Sequence, residues 1–195
     1  MYTIRRGTPA DLEPVTALIA ESFAGQPVSR WLVPPPDRRV AVLAASYAIH
    51  VENALAHGVV EIVGQYEGVA VWFPRLDPPA PPPAGYDERL AAACGPYTPR
   101  FRQLDAAFEA HYPHDEVHHH LAFLAAAPGG RDQGVGTALL RHHHEVLDEA
   151  GLPAYLEASN ERARELYVRE GYRADDPFHL PDGGPPVWPM WRKPG

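Results

Sequence analysis

The sequence predicts an α/β (α+β) domain, a mixed sheet flanked by helices. Short Val/Ile/aromatic runs alternate with longer segments whose apolar residues recur every three or four positions. Their order, β-α-α-β-β-α-β-α-β-α-β-β, contains two adjacent strand pairs, which an all-parallel doubly wound sheet does not have. A chain of 195 residues, 45% hydrophobic and 22% charged, fits a single folded domain over 1–195. Its 23 prolines and 16 glycines bunch in a few places and mark loops rather than disorder throughout.

Residues 2–5 read as a strand. Thr8-Pro9-Ala10-Asp11 is a helix-start signal. Pro14 would break a helix begun at Thr8 but is harmless in the first turn, so helix one begins at Asp11 and buries Leu12, Val15, Ile19 and Phe23. Residues 25–36 read as loop and 37–57 as helix, with Val40, Leu43, Tyr47 and Val51 on one side. Residues 59–63 and 69–73 have the Val/Ile/Trp/Phe content of strands, joined by a turn around 65–68. Segment 77–85, Asp-Pro-Pro-Ala-Pro-Pro-Pro-Ala-Gly, is stiff and poor in backbone donors. With structure on both flanks, it reads as a lid or spacer rather than a domain boundary. Residues 87–111 form a helical stretch interrupted near Gly95-Pro96. A strand over 118–127 ends at Pro128-Gly129-Gly130. The helix over 134–150 aligns Val135, Leu139, Val146 and Ala150. Residues 153–158 are a strand and 160–170 a helix with Asn160 as N-cap. Residues 172–180 and 187–192 are closing strands around the turn 181–186.

A net charge of −8 with no basic stripe disfavours nucleic-acid binding. The acidic surface serves solubility or attracts cationic small molecules. Cys94 is the only cysteine, so there is no disulfide framework, and a reducing cytoplasm fits. No apolar run follows the N-terminal charges, and none approaches a membrane span, so neither a signal peptide nor a membrane is expected.

The chemistry concentrates in Leu124-Ala-Ala-Ala-Pro128-Gly-Gly-Arg131-Asp-Gln-Gly134-Val-Gly136-Thr137-Ala138. Here a strand runs through a glycine-bearing turn into a helix. Such a turn presents uncommitted N–H groups at the positive end of the helix dipole, which holds a pyrophosphate without lysine. Glycines at 134 and 136 allow close backbone approach. A Walker A loop would need Lys and Ser/Thr after Gly134, where Val135 and Gly136 stand. A dinucleotide G-x-G-x-x-G would need glycine at 139, where Leu139 stands. A helix start that merely uses glycines is the competing reading of this segment alone.

Arg131, Gly134 and Gly136 fill the places of an Arg/Gln-x-x-Gly-x-Gly/Ala pattern that resembles motif A of the GNAT N-acetyltransferases. The likeness continues in register through Tyr155-Leu-Glu-Ala-Ser159 and Asn160…Ala163…Leu166-Tyr167…Gly171-Tyr172. It is close over 118–192 and looser before. Gly68-Val-Ala-Val-Trp72, Pro153-Ala-Tyr-Leu-Glu157-Ala-Ser159 and Met190-Trp-Arg-Lys-Pro-Gly195 look most similar to the puromycin N-acetyltransferase-like members. The resemblance implies a mostly antiparallel sheet splayed between the fourth and fifth strands, and acetyl-CoA as co-substrate. It implies pyrophosphate held by Arg131, Asp132, Gln133, Gly134, Val135, Gly136 and Thr137. Pantetheine would bond the strand backbone at Leu124, Ala125 and Ala126, and the small side chains at 125–127 ease its approach or simply pack under a helix.

In the same register, Tyr167 is the candidate general acid for the departing thiolate, although a tyrosine at helical spacing also suits a core. Asn160 is a helix cap or a partner for the pantetheine arm. For the general base, Glu157 on the fifth strand competes with the histidines of the fourth. There His118 and His120 share one face and His119 lies opposite. A water-only or remote route also stays open. Deprotonating an alkylamine at pH 7 costs about 4–5 kcal/mol and an α-amino group about 1, so a weak base suffices for the second kind. His142, His143 and His144 point in three directions on a helix, and His118 and His120 lack a third ligand at metal spacing, so no metal is expected. The acceptor implied is a small cationic or antibiotic-like primary amine, and the protein a monomer or homodimer. A peptide N-terminus or lysine, and a non-catalytic acyl-CoA-binding module, are the alternatives.

Overall fold

The computed structural model describes residues 2–76, 80–130 and 133–195. Asp77, Pro78 and Pro79, at the start of the lid-like segment, and Arg131 and Asp132 of the glycine-bearing turn lie outside the described residues.

The elements in chain order are β1 (Ile4–Arg6), α1 (Leu12–Phe23), α2 (Pro27–Leu32), α3 (Pro36–His57), β2 (Val59–Val63), β3 (Gly68–Arg75), α4 (Tyr86–Cys94), α5 (Thr98–His111), β4 (His118–Ala126), α6 (Val135–Ala150), β5 (Ala154–Ala158), α7 (Glu161–Arg169), β6 (Arg173–Ala174), β7 (Phe178–His179) and β8 (Pro186–Arg192). The sheet runs β1-β2-β3-β4-β5-β8-β6, with β7 pairing the start of β8. Every pairing is antiparallel except β4–β5. That parallel pairing holds for three residue pairs only, His119↔Ala154, His120↔Tyr155 and Leu121↔Leu156. Beyond Leu121 the two strands part. The backbone groups of 122–126 that face β5 are left without a strand partner, while β3 pairs the opposite edge up to Ala126. The splay implied by the resemblance is present.

Side-chain alternation sends Val60, Ile62, Val69, Val71 and Phe73 toward α1 and α3. Val63, Ala70, Trp72, Leu121, Leu156 and Met190 go toward α6 and α7. A bulge in β4 opposite Val71/Trp72 breaks the alternation, so Leu121 faces α6 while Phe123 and Ala125 face α1 and α3. A third cluster joins α2 through α5 with β7 and β8, through Trp31, Leu32, Leu43, Leu90, Phe101 and Val187. Among the described residues no helix is long and apolar enough to cross a membrane.

Four local readings change. Residues 27–32, read as loop, form α2, with Pro27 at its first turn and Val28, Trp31 and Leu32 buried. Six residues are too few to show a period, so only the proline start signal was available. On α6, Val146 is half-exposed, and the buried face carries Leu139, Leu140, Leu147, His143 and His144 instead. Paired imidazoles occupy positions an apolar count would not choose. On α3, Val40 is exposed while Leu43 and Val51 are buried. Residues 172–180 are two short strands rather than one, interrupted at Pro177, which has no N–H to give a ladder.

Candidate active site

A cleft of about 800 Å³ opens where β4 and β5 part. Its walls are the β4 edge (Leu124, Ala125, Ala126), the start of α6 (Gly134, Val135, Gly136, Thr137) and α7 with its cap (Asn160, Ala163, Leu166). Gly134 sits at φ 82°, a left-handed conformation that turns the chain into α6 and that side chains rarely adopt. The first amides of α6 therefore line the cleft at the positive end of a sixteen-residue helix. A β-carbon on Gly136 would stand 3.5 Å from Leu166 Cδ2 and 3.6 Å from Leu124 Cδ2, the two opposite walls. Unpaired strand edge, bare helix start and missing side chain together fit a pantetheine arm with its pyrophosphate.

Of the cofactor positions read from the sequence, Leu124–Ala126, Gly134–Thr137 and Asn160 meet around this cleft. Gln133 does not line it; its carbonyl accepts a hydrogen bond from the Tyr2 hydroxyl at 2.6 Å. Arg131 and Asp132 lie outside the described residues. The fourth wall, Glu21 through Pro27 between α1 and α2, was not foreseen. Gln26 holds it in place: its Oε1 accepts from Ser159 Oγ at 2.8 Å and from Asn160 Nδ2 at 3.4 Å. Nothing in the local sequence marks Gln26. Asn160 also caps α7, its Oδ1 accepting from the Ala163 N–H at 2.9 Å.

Tyr167 does not line the cleft. It is 8% exposed, packed among the core residues between the sheet and α7, its ring edge-on to Tyr172 at 5.7 Å. Burial pushes its phenol well above the ordinary value, so it stays protonated.

On the α1/α3 side of the sheet, register gathers a second group of residues. Phe73 pairs with His120 and His120 with Tyr155, while Arg75 pairs with His118. Glu157 lies just past the last β4–β5 pair, at the apex of the splay. There Glu157 Oε2 accepts from His120 Nε2 at 2.7 Å, with the two side chains 4% and 12% exposed. Since Nε2 must carry the proton in that bond, neutral His120 presents a lone pair at Nδ1. His120 Nδ1, Glu157 Oε1, Tyr155 Oη and Arg75 Nε are all buried without a partner. An unsatisfied buried polar atom costs about 1–3 kcal/mol. Grouped next to the apex of the splay, these atoms can take up a polar ligand. Tyr112 caps the group, its ring 5.4 Å from His120 and 5.6 Å from Tyr155. Burial pushes the Tyr112 phenol up to about 12.

The other histidines are engaged. His118 Nδ1 donates to the Glu116 carbonyl at 2.6 Å, and its Nε2 accepts from the Tyr112 hydroxyl at 2.7 Å. Burial holds its pKa down to about 4. On the α6 side, His143 Nδ1 donates to Glu61 at 3.0 Å and its Nε2 accepts from His119 Nδ1 at 2.9 Å, with the imidazole stacked on Trp72 at 4.1 Å. His144 bonds Tyr172, and His142 is largely exposed. The two triplets, unrelated along the chain, thus meet as a structural network. Among the described residues no group of three or more ligands is arranged for a metal ion.

A family model described as Acetyltransferase (GNAT) family matches residues 61–172, more than half of the chain. A solved structure from Corynebacterium glutamicum, described as histone acetyltransferase HPA2 and related acetyltransferase, is 28% identical with a TM-score of 0.74, over 100% of this chain and 97% of that one. Arylalkylamine N-acetyltransferase 2 from Aedes aegypti shares the fold at 11% identity and a TM-score of 0.67, over 100% of this chain and 99% of that one. The ribosomal-protein-S18-alanine N-acetyltransferase of Escherichia coli does so at 18% identity and 0.56, over 100% and 95%. With the splayed β4–β5 pair and the glycine-bearing start of α6, these matches show that the chain belongs to the GNAT acetyltransferase family and is an acetyl-CoA-dependent N-acetyltransferase.

Proposed function

We propose that the protein transfers the acetyl group of acetyl-CoA to the primary amine of a small molecule that is cationic at that amine, with the Glu157–His120 pair removing the amine proton. The observation that carries the reading is the pair itself, buried at the apex of the splay and leaving Glu157 Oε1 and His120 Nδ1 open. The cleft walls at Leu124–Ala126 and Gly134–Thr137 bind and orient acetyl-CoA, which supplies an acetyl thioester. The ammonium docks at the apex, and the pair takes its proton so that a free nitrogen lone pair reaches the carbonyl carbon. Asn160 keeps the α7 wall in place through its cap and Gln26. Tyr167 is proposed as the donor to the departing thiolate from its register two turns beyond Asn160 alone, since its ring does not line the cleft.

Burial of the base pair favours a small acceptor over a protein surface. The likeness at Gly68–Trp72 and Met190–Gly195 to puromycin N-acetyltransferase-like members supports including antibiotics among the acceptors. The single cysteine, Cys94, is free and buried, which supports a reducing, cytoplasmic setting.

The test is thiol release from acetyl-CoA against antibiotics, polyamines, amino acids and peptides. With the best acceptor, Glu157→Gln should lower kcat by roughly 10²–10⁴ and leave acetyl-CoA affinity unchanged. A fall of less than about threefold in a folded variant would move the base elsewhere. Turnover of peptides alone would overturn the small-molecule reading.

A further inference from the structure

Resting on that reading, we infer that the acceptor carries a carboxylate as well as its amine, an amino acid in the broad sense, and that Arg75 binds this carboxylate.

Arg75 ends β3 on the same face as Phe73, directly opposite His118 in the register. Its guanidinium lies over the Tyr112 ring at 5.3 Å and the Phe73 ring at 5.7 Å. The Tyr112 ring in turn touches those of His118, His120 and Tyr155. One aromatic ring therefore spans from the cation to the base pair. Among the described residues no carboxylate forms an ion pair with Arg75, and its buried Nε has no hydrogen-bond partner. The other partly buried arginines among the described residues are satisfied, Arg192 by Asp148 and Arg39 and Arg100 by backbone carbonyls. Glu157 forms no ion pair with Arg75, its Oε2 being committed to His120.

A half-buried guanidinium with no anion is expensive, and two flanking aromatic rings recover only part of its lost hydration. A plain alkylamine would bring a second positive charge to this site and leave Arg75 uncompensated. A molecule bearing an ammonium and a carboxylate satisfies both ends at once, the ammonium on Glu157 and His120 and the carboxylate on Arg75. A guanidinium fork matches a carboxylate in two parallel hydrogen bonds, which would also fix the orientation of the amine.

The experiment compares α- and ω-amino acids with the amines that differ from them only in lacking the carboxylate. Wild-type kcat/KM should favour the amino acid of the best pair. Arg75→Met, which keeps the stem over the two rings, should lower that value by roughly 30-fold or more, chiefly through KM. The matched amine should lose nothing and should gain where Arg75 repelled it, and this retained turnover also shows that the variant is folded. Arg75→Lys should recover part of the loss. Equal losses for both partners, or a wild-type preference for the amine, would overturn the inference. Calorimetry of the same amino acid on CoA-saturated protein separates the two readings. Binding that depends on Arg75 without acetyl transfer would uphold the carboxylate site and defeat the acetyltransfer reading for that acceptor. Acetyl transfer to amines with no Arg75-dependent binding would do the reverse, and no binding of any amino acid would overturn the inference.

Discussion

Tyr167 lies seven residues, about two turns, beyond Asn160 on α7. That spacing suits a groove-facing acid and a core tyrosine alike, and its burial among core residues away from the cleft lining favours the second. Tyr167→Phe preserves the ring against Tyr172 and removes only the hydroxyl. If the hydroxyl serves the thiolate, kcat falls by roughly 10²–10⁴ with acetyl-CoA affinity nearly constant. If it only packs, kcat stays within about threefold and any cost appears in the melting temperature; both should be read on one preparation. Glu157 and His120 were legible as residue types in the sequence, and the alternation of β4 placed His118 and His120 on one face. Their meeting at 2.7 Å was not legible, because it depends on a register between strands separated by a whole helix. Arg75 was invisible for the same reason: in sequence it lies just past the strand read over 69–73, before a proline-rich segment, with nothing to mark it.

At the level of elements, the phosphate-binding role proposed for the start of α6 is a backbone role, so its test must change shape rather than a functional group. A β-carbon at Gly136 stands at ordinary contact distance from Leu124 and Leu166, so Gly136→Ala should fold normally. The longer, charged side chain of Gly136→Asp must project between β4 and α7. Acetyl-CoA binding measured by calorimetry should weaken by roughly tenfold or more, through bulk and like-charge repulsion. Unchanged affinity in a folded Gly136→Asp variant would remove the cofactor from this cleft. The glycine spacing made this element readable in advance, because phosphate binding at a helix start needs local chain geometry and little else. The fourth wall was unreadable: Gln26 reaches Ser159 and Asn160 across more than 130 residues of sequence.

Across the whole molecule, burial of imidazoles ties stability to pH. His50, His118, His119 and His144 are each held down to about 4 from 6.5, chiefly by loss of hydration. Between those values the unfolded chain binds more protons than the folded one, so stability rises with pH across the window and is lost as pH falls through it. The urea midpoint should therefore drop steadily from pH 7 to pH 4.5, before the Asp148–Arg192 pair, whose carboxyl is held at about 2, begins to fail. A flat midpoint over that range would show that these rings are hydrated in solution. The sequence alone determined the α/β class, most of the element order and the glycine-bearing turn before α6, all of which follow from periodicity and local backbone chemistry. Only the tertiary structure decided the acceptor side. Which polar groups are buried, paired or left open there depends on strand register and long-range packing, and those interactions leave no trace in the spacing of residues along the chain.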